Sequence, residues 1–405
     1  MYTKNLAKIL HFSLMLPSTI GVTSLVFNQN KKIFHITPSS RRRLAVFTLI
    51  SISLNVFGII RTLELVYYDG GYKSPHLGIC FICSFATVMV NTTLIYMNLQ
   101  QDEICRILNM VLSYGSQFGR EWMTPQYNPN RMESISGKFL DVLILSIWLM
   151  SPAPLSNTPM YWNQPYLPFF LPSLLPPAED DKMWDFAITH NYWVKISYAA
   201  FNTFYSIAVG QLFLVAAVFP SLYTLTILPL VKNEFRLNHG NSKYKWNTYK
   251  VLRSVTYLPK EYNNVQLMHK QINRSITYVV MVMHWEFLQI ILSLNFILLK
   301  NWNSLDIFSK IQLVIMSVMC MMAWTCGLEI IGRFHQMSIT TLRSWENLMF
   351  RRVEEKKYFK KYAKTCQPLV VGLRGVFTIK RLTVLKFTRA VVKGTFKAVL
   401  TIGRR

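Results

Sequence analysis

The sequence predicts an all-α polytopic membrane protein with seven spanning helices, and three observations carry that prediction. Its 405 residues are 51% apolar, with a positive mean hydropathy of +0.24. Only 16% are Asp, Glu, Lys or Arg, against about 25% in soluble domains. The apolar residues also fall in long blocks, as hydrocarbon-spanning helices require. A net charge of +25 would suit nucleic acid in a soluble chain. Beside several apolar blocks it suits anionic lipid headgroups instead, so membrane lipids are expected partners and nucleic acid is not.

Residues 1–43 carry seven basic and no acidic side chains. Their apolar run is short, Pro17 interrupts it and no small-residue cleavage site follows, so the segment reads as a cytoplasmic amphipathic helix on an anionic leaflet rather than a signal peptide. The first two spans run from about Leu44 to Ile60 and from Leu77 to Leu99. The third, Lys138 to Met150, is short. The fourth, from Tyr192 to about Leu230, is far longer than a ~30 Å hydrocarbon core needs and should project beyond it. The fifth and sixth are Ile276 to Leu299 and about Ile311 to Ile331. The seventh lies within the closing segment Cys366 to Arg405. Four units follow: 1–43, helices one to four in 44–230, a region with helices five and six in 231–375, and the last helix in 376–405.

Orientation follows from the basic residues, which short loops retain on the cytoplasmic side. Residues 1–43, 100–138, 231–274 and 332–375 hold 30 Lys and Arg, whereas 61–76, 151–192 and 300–310 hold 5. Seven spans then put the N-terminus inside and the C-terminus outside. A G-protein-coupled receptor has the opposite orientation. The outer segment 151–192 has eight prolines between Pro152 and Pro177, which excludes a regular helix across it. Its aromatic content suits either a folded lid or an interfacial anchor.

Chemistry-bearing motifs are sparse. Cys80 and Cys83 form a CxxC inside an apolar run without a second ligand pair, which is ordinary packing more often than metal. No structural disulfide, cofactor or metal is expected. His269, His284 and His335 have no partners at metal spacing, and neither GxSxG nor a phosphate-cradling glycine loop occurs, so an enzyme finds no support. A transporter would need broken helices with paired midplane charges, and only Glu286 hints at that.

An inside N-terminus, seven spans, an overlong fourth helix and a seventh helix ending the chain resemble the insect chemoreceptor superfamily of gustatory and odorant receptors. Cys366, Pro368, Leu369, Gly375, Phe377 and Ile379 are similar to that family's run into its seventh helix. Thr395, Phe396 and the following Lys397 to Thr401 resemble its TYhhhhhQF motif, with Phe396 for Tyr, Ile402 for Gln and Gly403 for Phe. The opening KILHFSLMLPSTIGV is similar to the gustatory branch. The resemblance implies a plasma-membrane ligand-gated channel for monovalent and divalent cations, a homo- or hetero-tetramer whose seventh helices line one pore. It also implies a small-molecule stimulus bound in the outer half of helices two to six, and no catalysis. Residues at that depth are Trp148, Trp193, Tyr198, Phe201, Tyr205, Met316 and Met319, aromatic and thioether groups suited to apolar molecules.

The last helix presents a choice. At about 100° per residue, Lys386, Arg389, Lys393 and Lys397 form one narrow stripe, with Val384, Thr388, Val391, Thr395, Val399 and Ile402 opposite. With the stripe on a fourfold axis, rings of positive charge would make an anion pathway. In the family register, Val399 is the constriction, Ile402 the next ring and Thr395 and Val391 the same face, which preserves cation conduction; this is the favoured expectation. Acidic partners for the stripe are few. Glu329 suits an i,i+4 pair with Arg333, leaving Glu286 either to pair with the last helix or to be hydrogen-bonded near His284 and Gln289.

Overall fold

The computed structural model describes residues 5–67, 77–126, 144–145, 155, 157–163, 170–171, 183–237, 246–303, 305, 307–348, 350, 352–373 and 375–402. Within these, helices dominate, and two short antiparallel hairpins are the only paired strands. Among the described residues, five helices are long and apolar enough to cross a membrane. The expected third span, with Trp148, lies outside the described residues.

The first helix, α1 (Leu6–Ile20), is followed by a hairpin of β1 (Leu25–Asn28) and β2 (Ile33–Ile36). Leu6, Leu10 and Leu14 recur at one-turn spacing and are buried with Phe27 and Phe34. The segment expected to rest on lipid is therefore docked onto the protein by one face, while Phe12 and Met15 on the other remain exposed. Next comes α2 (Pro38–Tyr67), which starts with Pro at its first position and a reciprocal cap. Ser40 N–H donates to Thr37 Oγ1 at 3.1 Å and Thr37 N–H to Ser40 Oγ at 3.1 Å, satisfying otherwise orphaned donors.

Helix α3 (Leu77–Leu99) packs along α2, and polar side chains tie the pair. Asn55 donates to Thr87 Oγ1 at 2.7 Å and Asn91 to the Ser51 carbonyl at 3.3 Å. After Gln100 the chain continues as α4 (Gln101–Glu121), a helix absent from the sequence expectation. Ile104, Ile107, Leu108, Val111 and Phe118 form its buried stripe, the 3.6-residue period of an amphipathic helix. Asn109 on this helix accepts from Phe34 N–H at 2.7 Å and donates to the Phe34 carbonyl at 2.8 Å, fixing the hairpin.

A short α5 (Asn157–Asn163) precedes α6 (Met183–Pro229), whose 47 residues extend about 70 Å. It is the central helix: 71% of its most apolar stretch is buried within the chain. Helices α7 (Tyr257–Lys300) and α8 (Ile307–Ser344) start or end well beyond their expected spans. Only 6% of the corresponding stretch of α8 is buried, which leaves that helix for lipid or other chains to cover.

The projecting ends of α4, α6, α7 and α8 meet at the lysine- and arginine-rich end of the molecule. There Phe118, Tyr223, Phe235, Tyr262, Phe334 and Trp345 form one buried core, joined by Phe359 from α9 (Val353–Ala363). Trp345 donates its indole N–H to the Phe235 carbonyl at 2.9 Å. Trp345 and Phe359 are thus internal, whereas Val353 and Tyr358 are exposed.

The chain then runs extended from Cys366 to the two-residue strands β3 (Gly372–Leu373) and β4 (Phe377–Thr378) before α10 (Leu382–Ile402). Side chains of α7 and α8 satisfy this stretch in place of a sheet ladder. Gln266 accepts from Gln367 N–H at 2.8 Å, Ser338 from Leu369 N–H at 3.1 Å, and His335 donates to the Leu369 carbonyl at 3.2 Å. His269 donates Nε2–H to the Val370 carbonyl at 2.9 Å and accepts the Tyr223 hydroxyl at 2.6 Å, which one neutral tautomer does at once. Asn273 takes both polar groups of Gly372, at 2.9 and 3.0 Å. Gly372 has φ 116°, and a Cβ there would lie 2.2 Å from the Phe377 carbonyl oxygen, so only glycine fits. Burial pushes the Cys366 thiol up to about 11, keeping it protonated and poorly nucleophilic at neutral pH.

Candidate functional site: an aromatic cluster and the last helix

The proline-rich segment contributes what the sequence left open. Tyr161 of α5 and Phe170 are fully buried against Tyr198 of α6. Their rings meet edge to face, Tyr161 to Tyr198 at 4.8 Å and Tyr161 to Phe170 at 5.0 Å, the geometry that aromatic quadrupoles favour. The Tyr161 hydroxyl donates to the Lys195 carbonyl at 3.3 Å, and the Lys195 ammonium sits 5.0 Å from the Trp162 ring centre. The described part of the segment is therefore folded onto the bundle. Sequence reasoning did not single out Tyr161 or Phe170; their aromatic, proline-flanked setting was the available signal.

Of the residues expected to bind a stimulus, Tyr198 and Met316 belong to this cluster, and Phe201 lies 5.9 Å from Tyr198. A cavity of about 10 Å³ lined by Ile79, Ile82, Cys83, Ser309, Gln312, Leu313 and Met316 lies beside it, room for about one water. Tyr205 is one step further along α6, 6.5 Å from Phe201, stacked on Phe47 and hydrogen-bonded to Ser51 at 2.9 Å. Met319 is half-buried and belongs to neither group, while Trp193 is 71% exposed. The expected set thus splits: a compact part around Tyr198, an extension to Tyr205, and an outlying Trp193.

Helix α10 packs on α7 and α8 through Val384, Phe387 and Val391, against Ile291 and Leu328. Gly394 allows the closest approach, since a Cβ there would lie 2.7 Å from Leu292 Cδ2. Asn295 donates to Thr395 Oγ1 at 3.3 Å and accepts from Ser317 Oγ at 2.7 Å, linking three helices. The face expected to line a pore is therefore partly used inside the protomer. Val391 is buried and Thr395 is held by Asn295, because the uncharged side of α10 is the one that can pack without stranding charge. Val399 is half-buried at the margin of this contact, and Ile402 ends the helix, its side chain outside the described ones.

The opposite face is open. Lys386, Arg389, Lys393 and Lys397 are exposed, together with Leu385, Val392, Phe396 and Leu400. Among the described residues, no hydrogen bond or ion pair reaches the four basic side chains. Glu286 does not reach them: it is buried between α7 and α3, where its Oε1 accepts from Thr92 Oγ1 at 3.0 Å. His284 also faces elsewhere, accepting the Trp324 indole N–H at 2.9 Å and lying 5.4 Å from the Phe387 ring. Glu329 pairs with Arg333 at 2.6 Å as the i,i+4 spacing implies. At the N-terminal end of α10, Arg333, Gln336, Met337, Thr340 and Arg381 line an open cavity of about 370 Å³. No group of three potential metal ligands occurs among the described residues.

Architecture and site together define an all-α, multi-pass membrane protein whose last helix carries a charged stripe and whose bundle holds a closed aromatic cluster. Its fold is that of an insect olfactory receptor. The structure of olfactory receptor OR5 from Machilis hrabei in complex with eugenol superposes with a TM-score of 0.64, covering 97% of each chain at 9% identity. A second structure of that receptor superposes with a TM-score of 0.63, covering 98% of this chain and 99% of the other at 9% identity. No protein-family model and no curated protein matches the sequence.

Proposed function

We propose that the chain is a chemosensory receptor subunit of the insect chemoreceptor superfamily, acting as a ligand-gated channel and assembling as a tetramer. The observation that carries this reading is end-to-end correspondence of fold with an olfactory receptor; the aromatic cluster around Tyr198 supports it. The stimulus is a small apolar molecule, the class to which the eugenol bound by the neighbouring receptor belongs. It enters among Tyr198, Phe201 and Met316 beneath Tyr161 and Phe170. A 10 Å³ cavity is too small for such a molecule, so binding requires the thioether of Met316 and nearby side chains to rotate.

In this reading α10 lines the conducting path, with Val399 and Ile402 as its constriction, the N-terminus lies in the cytoplasm, and the core around Trp345 anchors the subunits. Cation conduction, which the family resemblance implies, needs the basic stripe kept away from the axis. Val391 is buried and Thr395 is held by Asn295 inside the protomer, so on that face the lining falls to Val399 and Ile402.

The test is expression in cells with current recorded against sugars, bitter compounds and phenolic and other volatiles. A current evoked by a small apolar compound, and shifted in concentration dependence by Met316→Ala, is the expected result. Normal surface expression with no evoked current, alone or with co-expressed receptor subunits, would sink the channel reading.

A further inference from the structure

We propose that Arg333 and Arg381, with Gln336 and Thr340 beside them, bind a phosphate group carried on a hydroxylated head, whether an anionic lipid headgroup or a soluble inositol phosphate. The site is the open cavity where α8 meets the start of α10, and it stands apart from the channel reading. Three observations carry it.

First, shape. Arg333, Gln336, Met337 and Thr340 share one face of α8, at the spacing of helical neighbours, and Arg381 closes the cavity from the start of α10. Its volume of about 370 Å³ falls within the range of about 300–1,000 Å³ that small-molecule sites occupy.

Second, the two arginines are placed rather than loose. Gly332 lets the chain lie directly on α8, since a Cβ there would stand 2.9 Å from Arg381 Cα. Lys380 N–H donates to Thr383 Oγ1 at 2.9 Å, which fixes the turn into α10. From that backbone Arg381 Nη1 donates to Gln336 Oε1 at 3.2 Å, and Arg333 gives its Nε–H to Glu329 at 2.6 Å. A guanidinium has five N–H donors. Among the described residues each arginine thus spends one of them within the protomer.

Third, sign and depth. Arg333 lies two residues beyond Ile331, where the sixth span is expected to end, at the lysine- and arginine-rich end of the molecule. Headgroup phosphates sit at such a boundary. The cavity lining holds two arginines and no carboxylate, and the neighbouring Lys380 is exposed. Like charges around one space repel, whereas a phosphate between them accepts from both forks in the geometry that guanidinium groups favour. Gln336 keeps its amide N–H groups for a further oxygen of the head. Thr340 donates to the Gln336 carbonyl at 2.9 Å, which leaves its oxygen to accept from a head hydroxyl.

The test uses the full-length chain in neutral detergent and a fluorescent short-chain phosphatidylinositol bisphosphate, with binding followed by polarisation. Saturable binding is expected, weakened at least about 10-fold when Arg333→Gln and Arg381→Gln are combined. Lys356→Gln with Lys360→Gln removes the same charge from exposed positions of α9 and should change affinity by less than about 2-fold. Unlabelled inositol trisphosphate that competes as well as the lipid identifies a soluble source; competition by the unlabelled lipid alone identifies a headgroup. Binding that does not saturate, survives in the arginine pair, or falls equally in both pairs would overturn the proposal. Thr340→Trp fills the cavity and keeps both charges, so it serves where the arginine pair fails to fold; unchanged affinity in that variant would count equally against the site.

Discussion

The two ends of this molecule are built on different principles. At the basic end, the core around Trp345 combines large buried rings with side-chain hydrogen bonds that leave little slack: Trp345 to Phe235, Tyr262 to the Gln367 carbonyl at 3.0 Å, Thr341 to the Val231 carbonyl at 2.6 Å. At the aromatic end, Tyr161, Phe170 and Tyr198 meet chiefly by ring contact, with a 3.3 Å hydrogen bond from Tyr161, one between the Tyr198 hydroxyl and the Leu171 backbone, and a small void nearby. The first arrangement resists rearrangement because moving any ring also strands a polar group. The second can repack at modest cost, which is what admission of a small molecule demands. On the receptor reading, stability and responsiveness are thus assigned to opposite ends.

Substitutions can break or sharpen that contrast. Trp345→Ala should have the largest effect, about 3–5 kcal/mol for loss of a buried indole, seen as a lowered melting temperature and loss of oligomer in detergent. Asn273→Ala should cost about 1–3 kcal/mol, because both polar groups of Gly372 lose their partner; Asn273→Asp, which retains an acceptor, should recover part of the melting temperature. Tyr161→Phe keeps the ring and removes a long hydrogen bond, so a stability change under about 1 kcal/mol is expected with a measurable shift in stimulus concentration dependence. If it melts as early as Trp345→Ala, the contrast is wrong. Asp102→Asn removes a surface ion pair with Arg41 at 2.8 Å and should change stability by no more than about 1 kcal/mol, less in high salt.

Much of the architecture was legible because apolar block length is a one-dimensional signal. The four long spans at Leu44, Leu77, Tyr192 and Ile276 and the sixth at Ile311 needed no knowledge of neighbours. Helix α4 was missed although Ile104, Ile107, Leu108 and Val111 display their period, since a segment weighed for its basic residues was not also read for an apolar face. The β1–β2 turn was visible in principle, its Asn28 carboxamide accepting from Asn30 and Lys31 N–H at 3.0 Å each, an Asx-type turn. The partners of residues 366–373 could not be read, because Gln266, His269, Asn273 and Ser338 are brought there only by the packing of α7 and α8. The same limit governs the last helix. Helical geometry separates Lys393 from Val391, but which of those faces is packed depends on Ile291 and Leu328.

Helix α7 takes part in every region discussed. Its 44 residues extend about 66 Å. Near one end Ile290, Leu294 and Ile297 border the aromatic cluster on one face while Leu292 and Asn295 grip α10 on another, and toward the other end His269 and Asn273 hold the strand that leads into α10. A rod of that length pivoting by about 3° about its centre would move each end by nearly 2 Å, roughly the displacement of a rotated thioether. On the receptor reading it is a lever: a side chain displaced by a stimulus at one end is read at the far end as a pull on the leash of the last helix, without any intermediate part changing its shape.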